Sequence, residues 1–354
     1  MNKQNITLGV CMATLVLFSG GYMLGIFDAN TSDVPERVEM QKIVVREPLS
    51  VIKEKKIWSE RIESVGAERA YAEYKETFAT APFSAQHLLA HMMGELLYEK
   101  EGIDGLKICD ATFAFGCYHS FFGRALSEKG TDVITLLDAS CVRAYGPLGT
   151  GCQHGIGHGI VEYMGGKDIA KALDLCSKTT QLKALFGCTS GVFMEYNTPT
   201  ITSGVDAESQ TRLFDIRKPY DPCDGAVAER YRESCYYEIV AWWQRSLSAD
   251  YTKMGALCLG IKKATERDAC LLGVGNTVAP STLYDVAKTI DMCTKMPNRI
   301  SEILCRAGAS WSFFAEPRVR MHANEVCEMG NQKEKDTCMK RSNLIGNEER
   351  FNKL

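Results

Sequence analysis

The chain has 354 residues, 24% of them charged, and a formal net charge of -3. That balance excludes nucleic acid as an electrostatic partner, because such binding rests on neutralising phosphates with clustered Lys and Arg. Fifteen cysteines with no C-x-x-C pair leave zinc knuckles and dithiol redox motifs without their shortest element, so disulfides are favoured, as in chains held outside the cytoplasm.

Residues 1–5 read as a short cytoplasmic tail. From Ile6 to Phe27 there are 22 residues without a charge, about the length that crosses a bilayer as a helix. Lys3 precedes this run, the acidic DANTSD follows it, and no clear small-x-small cleavage site ends it, so it reads as an uncleaved transmembrane anchor; a cleaved signal segment, leaving a secreted chain, is the alternative. The main domain then lies outside the cytoplasm, periplasmic or at the cell surface. Cys11 sits too early in the run to be a lipoprotein cysteine and reads as a small apolar residue. Residues 28–56 are charged and weakly periodic, a spacer. Residues 57–102 read as a helical cap, with one helix over Ile57–Ala79 and a second over Ser84–Glu99.

The remaining fourteen cysteines fall into successive pairs: Cys109 with Cys117, Cys141 with Cys152, Cys176 with Cys188, Cys223 with Cys235, Cys258 with Cys270, Cys293 with Cys305, and Cys327 with Cys338. The pairs recur about every 35 residues, with one insertion, and such a period marks stacked helical hairpins. A helix-like run precedes each first cysteine, as in DIAKALDLC and DVAKTIDMC, where Asp168 and Asp285 can cap the N-terminus. A small, apolar run follows the second cysteines. Each unit therefore reads as helix A, Cys, link, Cys, helix B, closed by its own disulfide, with bridges between units as the alternative. Gly155, Gly191, Gly273 and Gly308 each stand three residues after a second cysteine and point to close helix contact, or else to short or broken helices. Asn197–Thr211 reads as a surface loop inserted between the third and fourth pairs, and 346–354 as a tail.

The paired cysteines and their period resemble the disulfide-bridged tandem α/α-hairpin proteins, cysteine-rich relatives of the Sel1-like and tetratricopeptide repeats, over residues 103–345. The resemblance is architectural; the Trp, Gly and Ala signature residues of those families do not line up. It implies an exported scaffold with a concave surface for a protein or peptide. The expected fold is thus all-α: a right-handed α/α-hairpin solenoid of about seven disulfide-closed repeats, preceded by one transmembrane helix.

Five of the six histidines lie between residues 87 and 158. His87, His91 and Glu95 form H-x-x-x-H-x-x-x-E, and His154, His158 and Glu162 repeat it. Residues four apart share a helix face, so each set can chelate a metal through two imidazoles and a carboxylate. His119 stands two residues after Cys117, as His154 does after Cys152, and His87 precedes it by nearly one repeat. Three neighbouring B helices thus offer histidine at equivalent positions, with Gly123 leaving room between them. Zinc is the first expectation, iron or copper the alternatives. Against this stands the ordinary use of helical histidine in packing, which is also how the isolated His322 is read.

Ser190, Tyr237, Leu272 and Ala307 occupy the equivalent positions downstream, so the stack is chemically polarised. Tyr236, Tyr237, Trp242, Trp243, Trp311, Phe313 and Phe314 read as core by their helical spacing, with a ligand-binding face as the alternative. No nucleophile elbow, phosphate loop or Ser-His-Asp set is present. The functional expectation is a membrane-anchored, extracytoplasmic scaffold holding a transition metal; the alternatives are a metal-free protein- or peptide-binding scaffold and a metal-dependent hydrolase with Glu95 or Glu162 as base.

Overall fold

A computed structural model describes residues 51–146, 149–166, 168–180, 185–198, 214–225 and 227–345, all within one compact unit, Pro48–Leu354. The segments 1–5 and 6–27 with Cys11, most of the 28–56 spacer, nearly all of the Asn197–Thr211 loop and the 346–354 tail lie outside the described residues. Among those described, no helix is long and apolar enough to cross a membrane, and there are fifteen α-helices and no strand.

The cap has three helices where two were expected. Gly66, with φ at 87°, divides the first into α1 (Val51–Val65) and α2 (Ala67–Thr77), since a positive φ that glycine tolerates cannot continue an α-helix. The break lets both pieces aim aromatics at one point: Trp58 of α1 meets Tyr74 of α2 edge to face, centroids 5.5 Å apart. Helix α1 also begins six residues inside the stretch read as a spacer. Helix α3 (Phe83–Glu101) completes the cap.

Seven disulfides close the expected pairs, each within its own unit, with Cα atoms 5.5–5.7 Å apart: Cys109 to Cys117, Cys141 to Cys152, Cys176 to Cys188, Cys223 to Cys235, Cys258 to Cys270, Cys293 to Cys305, and Cys327 to Cys338. The B helices are α4 (Gly116–Lys129), α6 (Thr150–Tyr163), α8 (Cys188–Asn197), α9 (Arg232–Ser246), α11 (Ala264–Ser281), α13 (Arg299–Ala315) and α15 (Gln332–Leu344).

The links between paired cysteines, which the spacing leaves free to be partly helical, are so in several units, and helix B starts before the second cysteine or at it. Cys117, Cys152, Cys188 and Cys235 already lie in the first turn of their helices, and Cys270, Cys305 and Cys338 lie nearly two turns inside theirs. In the last three units the second half of the link is part of helix B. A bridge from within a helix constrains only the side chain, so the backbone ladder runs on past it.

These B helices form one continuous row: α3 packs on α4, α4 on α6, and so on to α13 on α15. The A elements α5 (Ile134–Tyr145), α7 (Ile169–Leu175), α10 (Tyr251–Leu259) and α12 (Val286–Thr294) each pack on their own B helix; the seventh unit has only α14 (Ala323–Val326).

Asp168 and Asp285 cap α7 and α12 by accepting the N–H of Lys171 and Lys288, and Asp250 does the same for α10. Among the described residues, two units show no α-helix directly before the first cysteine. Before Cys109 the chain forms a 3-10 helix, Gly102–Ile108. Before Cys223 it runs as turns, because Pro219 and Pro222 remove two backbone donors and push their predecessors out of helical conformation.

The row bends until its first unit meets the end of the sixth B helix. The Phe113 N–H, in the link of the first unit, donates to Glu316 Oε2 at 3.1 Å across 203 residues of sequence. Arg318 holds Glu316 at 2.8 Å and lays its guanidinium 4.5 Å from the centre of the Phe113 ring. The inner side of the row encloses a cavity of about 210 Å³. Of the aromatics expected in the core, Phe314 is 37% exposed and Trp311 partly buried; the others are buried. Phe314 stacks instead under Arg320.

Candidate metal centre

The five histidines come from three successive B helices: His87 and His91 from α3, His119 from α4, His154 and His158 from α6. Helix packing therefore brings the equivalent repeat positions together. Nitrogen atoms of His87, His91 and His119 lie within 4.8 Å of one another, as do those of His119, His154 and His158, so His119 belongs to both sets. Within the first, His91 Nε2 is 3.1 Å from His87 Nε2 and 3.1 Å from His119 Nδ1. Within the second, His154 and His158 oppose Nε2 atoms at 3.0 Å. His87, His119 and His154 also line the cavity.

Groups around the cluster determine which nitrogen of a ring carries a proton. The Phe113 carbonyl can only accept, so His87 Nδ1 donates to it at 2.9 Å. Glu195 on α8 accepts from His158 Nδ1 at 2.8 Å. Ser190 donates its hydroxyl proton to the Gly187 carbonyl, which leaves Oγ to accept from His154 Nδ1 at 2.7 Å. In all three rings Nδ1–H is committed outward, and Nε2 presents its lone pair inward. Carbonyl and carboxylate partners on the far nitrogen are what orient imidazoles that bind metals.

Burial holds His87 below the usual histidine pKa, while His91, His119 and His154 are pushed well below it by burial and then by neighbouring imidazoles, those of His87 and His158 in each case. These rings are neutral at physiological pH, the protonation state that a metal needs.

The two predicted carboxylate ligands belong to neither set. Glu95 points to the surface, where it pairs with Lys55 at 3.0 Å and Arg124 at 3.5 Å. Glu162 fills the space beside Gly123, where any Cβ would strike its carboxylate; the room expected between the histidine pairs is thus occupied by this side chain. Its Oε2 is buried without a hydrogen-bond partner, and burial, with the charges of Glu195 and Glu95, pushes its pKa up to about 8. His322 is a surface residue hydrogen-bonded to Glu325.

The residues that sequence patterns missed are Phe113, Ser190 and Glu195. Glu195 had one signal, the only carboxylate on its B helix, 37 residues after His158.

A raised carboxyl pKa has a definite pH signature. Folded Glu162 keeps a proton that the unfolded chain releases above about 4.5, so its contribution to stability is full below that pH and declines as pH rises toward 8. Glu162→Gln does not titrate. In urea unfolding with chelator present, the variant should gain on the wild type by up to ~3 kcal/mol between pH 5 and 7.5; a pH-independent difference would contradict this assignment.

No known family matches the chain, and neither a curated protein nor a solved structure matches it.

Proposed function

We propose that the protein is a membrane-anchored, extracytoplasmic scaffold, a right-handed solenoid whose N-terminal repeats hold a divalent transition metal through His87, His91, His119, His154 and His158. The observation that carries this is the 3.0 Å approach of His154 Nε2 to His158 Nε2. Both Nδ1 atoms are committed to other partners, which leaves the two Nε2 atoms facing each other inside the protein. A cation between them, a metal ion or a single shared proton, is what this spacing calls for, and the adjoining cavity gives a metal ion access to that place. Two imidazoles bound to one zinc at about 2.0–2.1 Å have a similar nitrogen spacing.

Imidazole donors suit zinc, copper and iron, and the cavity beside His87, His119 and His154 gives a bound ion one side open to exchange ligands. The export of the domain is supported by its seven disulfides and by the uncharged run Ile6–Phe27, since disulfides persist in oxidising compartments.

The test is elemental analysis of the full chain, purified in mild detergent and dialysed against zinc or copper. Stoichiometric metal that falls in His91→Ala and His158→Ala supports the metal centre. Substoichiometric metal indifferent to both changes would leave the metal-free scaffold as the better account.

A contrast between two glutamates checks the geometry. Glu195→Gln replaces the charged acceptor that orients His158 with a neutral amide and should weaken metal binding by roughly 10–100-fold. Glu95→Gln, out on the surface, should leave it unchanged. Competition with a chromophoric chelator measures both.

A further inference from the structure

We infer that the cluster is a binuclear centre in which His119 bridges two metal ions, one held with His87 and His91, the other with His154 and His158. This rests on the metal-binding reading above and adds stoichiometry and connectivity to it. His119 is the only member of both ligand sets, and its helix α4 packs between α3 and α6. Its Nδ1 faces His91 at 3.1 Å. Its Nε2 is buried and has no hydrogen-bond partner, although the residue is only 1% exposed.

A single ion on Nδ1 would force a proton onto Nε2 and leave a buried N–H unsatisfied, which is unfavourable. A second ion on Nε2 removes that orphan: the nitrogen's lone pair forms the new bond, the displaced proton goes to solvent, and His119 becomes an imidazolate shared by both metals. No electron is transferred. The same ion would lie between the Nε2 atoms of His154 and His158, which are 3.0 Å apart. The first three rings stand at 68–76° to one another, already converging. The His158 ring lies nearly parallel to His119, at 3.9 Å and 21°, so filling the second position tilts His158 out of that stack.

Copper(II) is the probe, because an imidazolate bridge couples two cupric spins and suppresses their paramagnetic resonance signal. The full metal-stripped chain in detergent is titrated with copper(II), following bound metal and signal intensity together. Expected are two equivalents per chain, with intensity falling well below two spins in the fully loaded form. His158→Ala should hold one equivalent at full intensity, and His119→Ala should lose the coupling. The wild-type titration decides even if a variant fails to fold. A single equivalent, or two with full intensity, overturns the bridge while leaving a metal centre; no bound copper removes both.

Discussion

Complete reduction should unfold this protein under conditions where the oxidised form is stable. Each of the four bridges that span 12 residues restricts the unfolded chain by ~3 kcal/mol at 25 °C in the chain-entropy estimate, and the three shorter ones add slightly less. Even at half that value the seven together match the ~5–15 kcal/mol total stability of an ordinary domain. The repeats need them, because several A elements are short: Ile169–Leu175 has seven residues and Ala323–Val326 four, below the length at which isolated helices persist. Circular dichroism with excess dithiothreitol should show loss of most helical signal, whereas single-bridge removal, for example Cys293→Ser with Cys305→Ser, should cost about 2–4 kcal/mol and leave the fold intact. Retention of a cooperative transition after full reduction would mean that packing along the B-helix row suffices alone.

What could be read from sequence here was local. Cysteine spacing identified the seven units because the two sulfurs of a hairpin are brought together by a link of fixed length. It did not say where helix B begins: the same spacing of 12 serves Cys235, in a first turn, and Cys270, nearly two turns in. Asp168 and Asp285 announced helix starts, since capping involves only the next three residues. The histidine register was legible for the same reason: one repeat period places His119 and His154 at the same point of adjacent helices. At the site, the contacts that the spacing did not announce are not local. Glu95 and Glu162 looked like ligands by i+4 spacing, but the carboxylate that reaches an imidazole is Glu195, on the neighbouring helix. The Phe113 to Glu316 hydrogen bond joins residues six units apart, and no period encodes it. Gly66 and Pro219 with Pro222 were visible interruptions, yet nothing in the pattern said that the chain would obey them rather than the repeat.

Gly191→Ala should be among the most damaging single substitutions, in spite of the ~1 kcal/mol by which alanine is the better helix former. At the crossing of α6 and α8 a Cβ on Gly191 would overlap the carbonyl oxygen of His154, and one on Gly157 would overlap that of Cys188. Two backbones are in direct contact there, so no side chain can yield and the helices themselves must separate. Overpacking of this kind typically costs about 1–3 kcal/mol, and more where backbone has to move. The metal centre should suffer with it, because Ser190 and Glu195, which orient His154 and His158, both ride on α8. A shift of α8 loosens both anchors together, and the loss in metal affinity should reach at least the roughly tenfold expected from losing one of them. Gly330→Ala, where an added Cβ meets nothing within 4 Å, serves as the neutral control and should change stability by no more than about 0.5 kcal/mol. A double-mutant cycle identifies the route: if Gly191→Ala acts by displacing α8, adding Glu195→Gln should weaken metal binding less in that background than in the wild type. Full additivity would mean that the alanine destabilises the fold without moving the helix that positions the imidazoles.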